Sequence, residues 1–287
     1  MNQISGKTIV VGLMGWPVSH SKSPAMHNTA AFELGIDLVY VPLPVPPTHV
    51  PTAVAGLAAL GLRGANVTVP HKQAVLPCLD EVDTAVEHIG AVNTIVVDPH
   101  TQRLRGYNTD WSGFLADLAA HHVAVAGRGC FVLGAGGSAR AIAYALATAG
   151  GRVHILARRP AQAREIAHAL GPHFPQEHLS YHDLRELPQL VPQWPAPLVI
   201  NTTPLGMTPH TDTSVWPAEV LFPAQGVAYD LVYNPAETHF MRQAQAVGAQ
   251  AINGLGMLLH QGAQAFALWT GQEPNTAVMR RALLQES

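Results

Sequence analysis

Short apolar runs alternate with longer stretches of helical spacing along most of this chain. Residues 8–15, 38–43 and 198–201 are runs of this kind, rich in Val, Ile and Leu. Continuous apolar runs of four to eight residues are typical of strands buried on both faces of a sheet. The stretches between them keep apolar residues on one helical face. This alternation predicts an α/β fold with open sheets.

The same pattern gives approximate bounds for each element. We predict strands at 8–15, 38–43, 64–69, 89–97, 103–107, 131–133, 152–157, 198–201, 227–233 and 249–252. We predict helices at 24–34, 111–120, 141–147, 161–170 and 257–270, and two more that end near residues 60 and 247. The segment 171–197 contains six prolines and is predicted to be loop-rich.

One turn has the form of a nucleotide-binding loop. The apolar run 131–133 is followed by GAGGSA and then by a helical stretch, which is the strand–turn–helix context of the G-x-G-x-x-[GA] motif. The first glycine permits the tight turn, the second allows backbone to approach a pyrophosphate, and the small last residue lets the helix pack on the strand. The predicted cofactor loop therefore consists of Gly134, Ala135, Gly136, Gly137, Ser138 and Ala139.

The next strand ends in a pair of arginines. Enzymes that use NAD usually place an acidic residue there to bind the ribose 2′-hydroxyl, whereas this chain has Arg158 and Arg159. A guanidinium group fits a 2′-phosphate, so these residues favour NADP. The alternative is that both are solvated charges at the end of a strand.

Polar residues also follow two predicted elements in the first third of the chain. Ser23 precedes Pro24 at a helix start and is a good N-cap, but capping does not explain Ser21. Two hydroxyls in a loop before a helix could hold a carboxylate.

Asn66 and Thr68 share one face of a predicted strand, and Lys72 follows that strand at the end of the sheet where α/β proteins bind ligands. Taken alone, Lys72 is more simply a solvated lysine.

Two further polar residues have open interpretations. Asp110 begins a predicted helix, where it could simply interact with the helix dipole or could pair with a lysine. Gln261 lies among apolar residues of the last long helix, and periodicity does not decide between an exposed side chain and a ligand contact.

Composition narrows the class of protein. Of 287 residues, 48% are hydrophobic and 12% are charged, so a large core is expected. The net charge is −3, so neither nucleic acid nor a membrane surface is expected as a partner. Cys78 and Cys130 have no metal-site spacing and are expected to be buried free thiols. The sixteen histidines are expected to be polar surface residues, and no metal site is predicted. No membrane-spanning or cleavable segment is evident, which predicts a cytoplasmic protein.

Seven motifs together resemble the shikimate dehydrogenase family. They run in the family's order from near the start of the chain to near its end, which makes coincidence very improbable. The motifs are GWPVSHSKSPAMHN (15–28), GANVTVPHK (64–72), GAVNT (90–94), GYNTDWSGF (106–114), VLGAGGSARA (132–141), DLVYNP (230–235) and NGLGMLLHQGAQAF (253–266).

The resemblance implies a fold and an activity. The fold would be an open α/β substrate-binding domain, residues 1–112 completed by helices in 254–287, and a Rossmann-like NADP-binding domain, residues 113–253, with a cleft between them. The activity would be the NADPH-dependent reversible reduction of 3-dehydroshikimate to shikimate, in aromatic amino-acid biosynthesis. The small-molecule substrate would be the main partner of a monomer or homodimer.

The resemblance also assigns roles to individual residues. The family's catalytic pair falls on Lys72 and Asp110. Its substrate-binding residues fall on Ser21, Ser23, Asn66, Thr68, Lys72, Asn93, Asp110, Tyr233 and Gln261. Its cofactor residues fall on the glycine loop, Arg158, Thr203, Leu231 and Gly254, to which Arg159 of this chain is added.

Two departures leave alternatives open. The family commonly has Asn-Arg-Thr where this chain has Ala157-Arg158-Arg159, which removes one cofactor hydrogen bond and makes a relaxed cofactor choice conceivable. The turn after Thr203 is also less polar than in some members. The rival activities are a quinate or aminoshikimate dehydrogenase and, more remotely, a non-catalytic NADP-binding regulator.

Overall fold

The chain folds into two compact units, each built on its own sheet. The computed structural model describes residues 4–285, apart from the side chain of Gln176. Of these residues, 4–113 and 259–285 form the first unit and 114–258 form the second.

The strands and helices follow the alternation expected from the sequence. The strands are β1 Ile9–Gly15, β2 Leu38–Pro44, β3 Gly64–Val67, β4 Glu81–Val82, β5 Thr94–Val97, β6 Leu104–Tyr107, β7 Gly129–Leu133, β8 Arg152–Ala157, β9 Leu179–Asp183, β10 Leu198–Asn201, β11 Val227–Asp230 and β12 Gln250–Asn253. The helices are α1 Ser23–Glu33, α2 Val50–Ala59, α3 Thr84–Ile89, α4 Asp110–Ala120, α5 Gly137–Thr148, α6 Pro160–Leu170, α7 Leu187–Leu190, α8 His239–Gln245, α9 Leu255–Thr270 and α10 Thr276–Leu284. The division between the units falls inside α4 and α9.

The first unit contains a mixed sheet with strand order β2-β1-β3-β5-β6-β4. β1 pairs in parallel with β2 and β3 because helices connect these strands, whereas β5 is antiparallel to both β3 and β6. The antiparallel β5–β6 pair is the hairpin predicted from the sequence. One face of the sheet packs on α2 through a core that includes Val54, Leu57, Val67 and Ile95. At the C-terminal end of the unit, α10 packs against α1.

The second unit contains an all-parallel sheet with strand order β12-β11-β10-β7-β8-β9. The chain reverses its direction of travel across the sheet between β7 and β10, which makes the carboxyl end of β7 a topological switch point. Open α/β sheets bind ligands at such points. Phe131, Leu156, Val199 and Ala228 belong to the core of this sheet.

Two sequence predictions about the first unit were wrong in detail. The strand predicted from residue 89 begins only at Thr94, because Ile89 is the last residue of α3. The Asp83 carboxylate caps this helix by accepting a hydrogen bond from the Val86 amide at 2.8 Å, and Gly90 ends it with φ +67°. Ser23 does not cap α1; it is the first helical residue, and Lys22 is the cap position.

The segment 171–197 is more regular than predicted. It contains β9, which pairs in parallel with β8 at the sheet edge, and the short helix α7. The sequence of β9, LSYHD, is polar because an edge strand is only partly covered, so it lacked the apolar run used to identify strands.

The histidines and cysteines also depart from expectation. His27 and His71 are buried rather than on the surface, and the His71 ring nitrogen Nε2 lies 2.7 Å from the carbonyl oxygen of Val45. Cys130 is a buried free thiol as predicted, whereas Cys78 is only half-buried. Within residues 4–285, no helix combines the length and apolar character that a membrane crossing requires.

A buried hydrogen bond joins α4 to the sheet of the second unit. The Tyr229 hydroxyl donates to the Asp117 carboxylate at 2.6 Å, and both residues are almost fully buried. Burial, followed by the neighbouring Asp117 charge, raises the pKa of Tyr229 well above its usual value, so the hydroxyl stays protonated and remains a donor.

Tyr229→Phe is expected to destabilise the protein. The substitution keeps the ring but removes the donor to a buried carboxylate, which should lower the free energy of unfolding by about 1.5–3 kcal/mol. Thermal unfolding followed by calorimetry measures the effect. Tyr181→Phe, at an exposed tyrosine of the same unit, is the matched control and should change stability by less than about 0.5 kcal/mol. Equal effects of the two substitutions would contradict the stabilising role of the Tyr229–Asp117 bond.

Candidate active site

Lys72 and Asp110 form a largely buried ion pair in the first unit. The Lys72 ammonium nitrogen lies 2.7 Å from Asp110 Oδ2, and the two side chains are 12% and 6% exposed. Asp110 is the first residue of α4, and its amide donates to the side-chain oxygen of Asn108 at 3.0 Å. The turn that follows β3 brings Lys72 to it. With most of the water excluded, the attraction between the charges is stronger than at a protein surface.

Asn93 holds the other oxygen of the same carboxylate. Its side-chain amide Nδ2 lies 2.9 Å from Asp110 Oδ1, 2.9 Å from Thr109 Oγ1 and 3.2 Å from Gln261 Oε1. Its side-chain oxygen accepts from the Thr109 amide at 2.8 Å. The structure thus brings four of the predicted residues, Lys72, Asn93, Asp110 and Gln261, into one connected cluster.

Asn66 extends this cluster across the sheet. Its side-chain amide donates to the Asn93 carbonyl oxygen at 3.2 Å and to Thr94 Oγ1 at 3.0 Å. Its side-chain oxygen accepts from the Tyr40 hydroxyl at 2.9 Å. β3 and β5 are neighbouring strands, with Asn66 opposite Thr94, so the sheet register itself places these side chains together.

The two serines lie in the loop between β1 and α1. Ser21 Oγ accepts from the Ser23 amide at 3.2 Å, and Ser23 is 6% exposed. Lys22, between them, turns away and donates to the Leu283 carbonyl in α10 at 3.1 Å. Thr68 lies just beyond the end of β3 and is joined to β1 by a hydrogen bond from its amide to the Met14 carbonyl at 2.8 Å. Thr68 and the start of this loop therefore lie at the same end of the sheet.

The cluster can therefore recognise a polyhydroxylated ligand and move a proton. Amide, hydroxyl and carboxylate groups offer both donors and acceptors to ring hydroxyls. The ammonium of Lys72 is both a positive charge and a proton donor, which suits an oxygen that becomes negative during a reaction.

The glycine turn of the second unit has room for a ligand. Gly134 follows β7 with φ +123°, and a Cβ there would collide with Thr202 Oγ1, so this glycine is required by the turn itself. Gly136 differs, because a Cβ there would meet no atom within 4 Å. It is the cap residue of α5 and supplies no side-chain acceptor to the first turn. These features fit a pyrophosphate bound at a helix N-terminus.

The remaining predicted loop residues and both arginines lie near this turn. Ala139 is fully buried in α5, as the helix–strand packing requires. Gly134 donates to the Leu156 carbonyl at 2.8 Å, so the glycine turn is bonded to the end of β8. Arg158 and Arg159 follow within three residues of Leu156 and are both exposed, with Arg159 at the cap position of α6.

A buried polar cluster supports the next two turns of this sheet. Asn201 donates to Asp230 Oδ1 at 2.9 Å and accepts from the amide and the hydroxyl of Thr203 at 2.9 and 2.7 Å. Thr238 donates to Asp230 Oδ2 at 2.6 Å. Burial raises the pKa of Asp230 to about 6, although its hydrogen bonds act in the opposite direction. The cluster fixes Thr203 by two bonds and connects it to Leu231, whose amide donates to the Asn201 carbonyl at 3.0 Å.

Tyr233 and Gly254 complete the predicted set. Gly254 lies immediately before α9 and donates to the Val232 carbonyl at 3.3 Å. Tyr233 is half-buried, and burial raises the pKa of its hydroxyl. Both belong to the second unit. Gly254 is a predicted cofactor residue, whereas Tyr233 is a predicted substrate residue and the other predicted substrate residues belong to the first unit.

Sequence reasoning missed the buried residues whose hydrogen bonds hold the predicted site residues and their neighbours in place. These are Tyr40, Thr94, Thr109, Asn201, Asp230 and Thr238. Buried polar side chains within or beside apolar strands were the available signal, since such groups need hydrogen-bond partners. The described part of the chain contains no group of three His, Cys, Asp or Glu side chains arranged to hold a metal ion.

Sequence comparison relates nearly the whole chain to known shikimate dehydrogenases. Residues 13–95 match the family model of the shikimate dehydrogenase substrate-binding domain, and residues 254–284 match that of the shikimate 5′-dehydrogenase C-terminal domain. A shikimate dehydrogenase (NADP⁺) from Moorella thermoacetica is 49% identical over 285 residues, covering 99% of this chain and 95% of the relative.

Solved structures of shikimate dehydrogenases are also similar to this chain. A crystal structure of shikimate dehydrogenase in complex with NADP⁺ has a TM-score of 0.90 and 39% identity, covering 98% of this chain and 96% of that one. The Thermus thermophilus enzyme in complex with NADP(H) and shikimate has a TM-score of 0.85 and 38% identity, covering 96% and 98% of the two chains. By sequence and by fold, this chain belongs to the shikimate dehydrogenase family.

Proposed function

We propose that this chain is an NADP-dependent shikimate dehydrogenase, which reduces 3-dehydroshikimate to shikimate in a reversible reaction. The observation that carries the proposal is the buried Lys72–Asp110 ion pair, surrounded by side chains suited to ring hydroxyls. The names of full-length relatives, at 49% identity and below, support the same activity and cofactor.

Lys72 is the proposed proton donor. In the reductive direction a hydride adds to the ring carbonyl carbon, and the carbonyl oxygen must take up a proton. The Lys72 ammonium would give that proton and become a neutral amine beside the Asp110 carboxylate. Because Lys72 is 12% exposed, solvent can return the proton to it. Asp110 would orient Lys72 and accept a hydrogen bond from a ring hydroxyl.

The remaining polar residues of the first unit would bind the substrate. Ser21 and Ser23 would hold its carboxylate through neutral donors, and Tyr233 is proposed as a further substrate residue. Asn66, Thr68, Asn93 and Gln261 would bind ring hydroxyls. Asn66, Asn93 and Gln261 are at most 8% exposed and already hydrogen-bonded, so they are well ordered before any ligand arrives.

The second unit would hold the cofactor. NADPH, when bound, supplies the hydride. Amides of the turn formed by residues 134–139 and the N-terminus of α5 would bind the pyrophosphate, and Arg158 and Arg159 would bind the 2′-phosphate. Thr203, Leu231 and Gly254 would line the nicotinamide end. The domains predicted at 1–112 with 254–287 and at 113–253 would thus divide the tasks of binding substrate and cofactor.

A cytoplasmic enzyme that acts as a monomer or homodimer is part of the same proposal. The free thiols of Cys78 and Cys130 suit a reducing compartment. Light scattering on the purified chain measures the oligomeric state.

The activity is tested by a four-way turnover assay. Purified chain is supplied with shikimate or quinate, each with NADP⁺ or NAD⁺, and formation of reduced cofactor is followed by absorbance. The proposal requires the highest kcat/KM with shikimate and NADP⁺. Faster turnover of quinate would assign the chain to the rival activity, and absence of turnover with every pair would refute an enzymatic role.

Lys72→Ala is expected to abolish most of the chemistry while sparing binding. Loss of the proton donor should lower kcat by about 10²–10⁴-fold, with a smaller change in the KM for shikimate. Steady-state kinetics with shikimate and NADP⁺ measure both constants. Lys7→Ala, at an exposed lysine of the same unit, is the control and should leave them unchanged. A kcat that survives Lys72→Ala within about twofold would remove Lys72 from the proton-transfer role.

The double substitution Arg158→Ala with Arg159→Ala is expected to weaken selection of NADP⁺ over NAD⁺. Loss of charge-assisted bonds to the 2′-phosphate should raise the KM for NADP⁺ by about 10–100-fold and leave kcat/KM for NAD⁺ within about twofold. The two single variants then show which guanidinium contributes more. Arg164→Ala, at an exposed arginine of α6, is the control. Equal losses with both cofactors would mean that these arginines do not bind the 2′-phosphate.

A further inference from the structure

The hydrogen bonds that lead to Asp110 form a chain with a single direction. Tyr40 donates its hydroxyl hydrogen to Asn66 Oδ1 at 2.9 Å, and Asn66 Nδ2 donates to Thr94 Oγ1 at 3.0 Å. Thr94 Oγ1 donates to Asn93 Oδ1 at 3.0 Å, and Asn93 Nδ2 donates to Asp110 Oδ1 at 2.9 Å. Every donor therefore points toward the carboxylate that pairs with Lys72.

The direction is imposed by backbone groups that cannot reverse their roles. The Asn93 carbonyl oxygen can only accept, and it faces Asn66 Nδ2 at 3.2 Å, so a flipped Asn66 amide would bring two oxygens together. The Thr109 amide can only donate, and it faces Asn93 Oδ1 at 2.8 Å. Both side-chain amides are thus held in one orientation.

Thr94 is the link between these two amides. Its hydroxyl has one hydrogen, and because the oxygen accepts from Asn66 Nδ2, the hydrogen is available for Asn93 Oδ1. Thr94 is 0% exposed and Tyr40 is 1% exposed. Neither side chain is placed to meet a molecule that arrives from solvent, so any effect on the reaction must pass through Asn93 and Asn66.

We propose that Thr94, supported by Tyr40, is a positioning residue for the reaction, because its hydroxyl orients the Asn93 amide that holds the Asp110 carboxylate in place for Lys72. This inference rests on the proposed function. Hydrogen bonds arranged head to tail in a buried site also strengthen one another, which favours a single geometry of the whole cluster.

Thr94→Val tests the role of the hydroxyl. Valine keeps the branched shape but leaves Asn66 Nδ2 and Asn93 Oδ1 each with one partner fewer. The Asn93 amide then loses part of what orients it, and Asp110 Oδ1 is less firmly held. We expect kcat with shikimate and NADP⁺ to fall by about 10-fold or more, with the KM for NADP⁺ within about twofold of the wild type.

Thr94→Ser is the matched rescue, because serine keeps the hydroxyl and loses only the methyl group. Its kcat should remain within about threefold of the wild type.

Tyr40→Phe removes only the first donor of the chain, while Asn66 keeps its bonds to the Asn93 carbonyl and to Thr94. It should mainly raise the KM for shikimate, by about 3–10-fold, with kcat little changed. Tyr181→Phe, at an exposed tyrosine of the other unit, should change neither constant.

The experiment measures kcat and both KM values for the full-length wild type and the four variants, with calorimetric unfolding to show that each is folded. The proposal is overturned if folded Thr94→Val keeps the wild-type kcat, or if Thr94→Ser loses as much as Thr94→Val, since the methyl group would then be responsible. If Thr94→Val does not fold, the other two variants decide. The proposal is then overturned if Tyr40→Phe has the wild-type KM for shikimate, or if Thr94→Ser loses more than about threefold in kcat. A wild type that does not oxidise shikimate would refute the proposed function itself, and this inference with it.

Discussion

The Lys72–Asp110 ion pair is the interaction around which the polar cluster of the first unit is arranged. Removing an ammonium and a carboxylate from water is costly, and their mutual attraction offsets that cost only when geometry is good and the remaining polar atoms are satisfied. Here the geometry is good, at 2.7 Å, and Asn93 satisfies the second carboxylate oxygen. The surrounding amides and hydroxyls are therefore a condition for the pair to exist in a largely buried place.

Sheet topology brings the members of this cluster together. Asn66 is carried by β3, Thr94 begins the neighbouring antiparallel strand β5, and Asn93 precedes it. Asp110 begins α4 shortly after β6, the other partner of β5. Residues far apart in the chain thus meet at one end of the sheet, where they are almost fully buried and are held by the apolar core beside them.

In the second unit, too, a buried polar cluster holds the turns at the end of the sheet. Its parallel sheet aligns the carboxyl ends of β7, β10 and β11, so the turns that follow these strands lie side by side. The glycine turn, in which Gly136 is exposed, is the proposed site for an anion, while the buried Asn201–Asp230–Thr238 cluster holds the neighbouring turns. In both units, buried polar residues hold in position the groups that are proposed to bind a ligand.

Much of the architecture could be predicted from sequence because it depends on local periodicity. The apolar runs, the GAGGSA turn and the helix that follows it all have patterns within a few residues, and the corresponding elements are present. Prediction was weaker where the local pattern was ambiguous. The apolar residues around Ile89 fit a strand or a helix equally well, and polar β9 is a strand because it pairs with β8 at the sheet edge.

The sequence by itself determined the α/β class, the positions of most strands and helices, the glycine turn and, through seven motifs, membership of the family. Only the tertiary structure decided which polar residues are partners, since a hydrogen bond between Asn66 and Thr94 or between Asn93 and Asp110 depends on strand register and helix placement. The physical reason is that the chemistry of a buried polar side chain determines that it needs a hydrogen-bond partner. Which residue becomes that partner depends on which distant segments of the chain pack together.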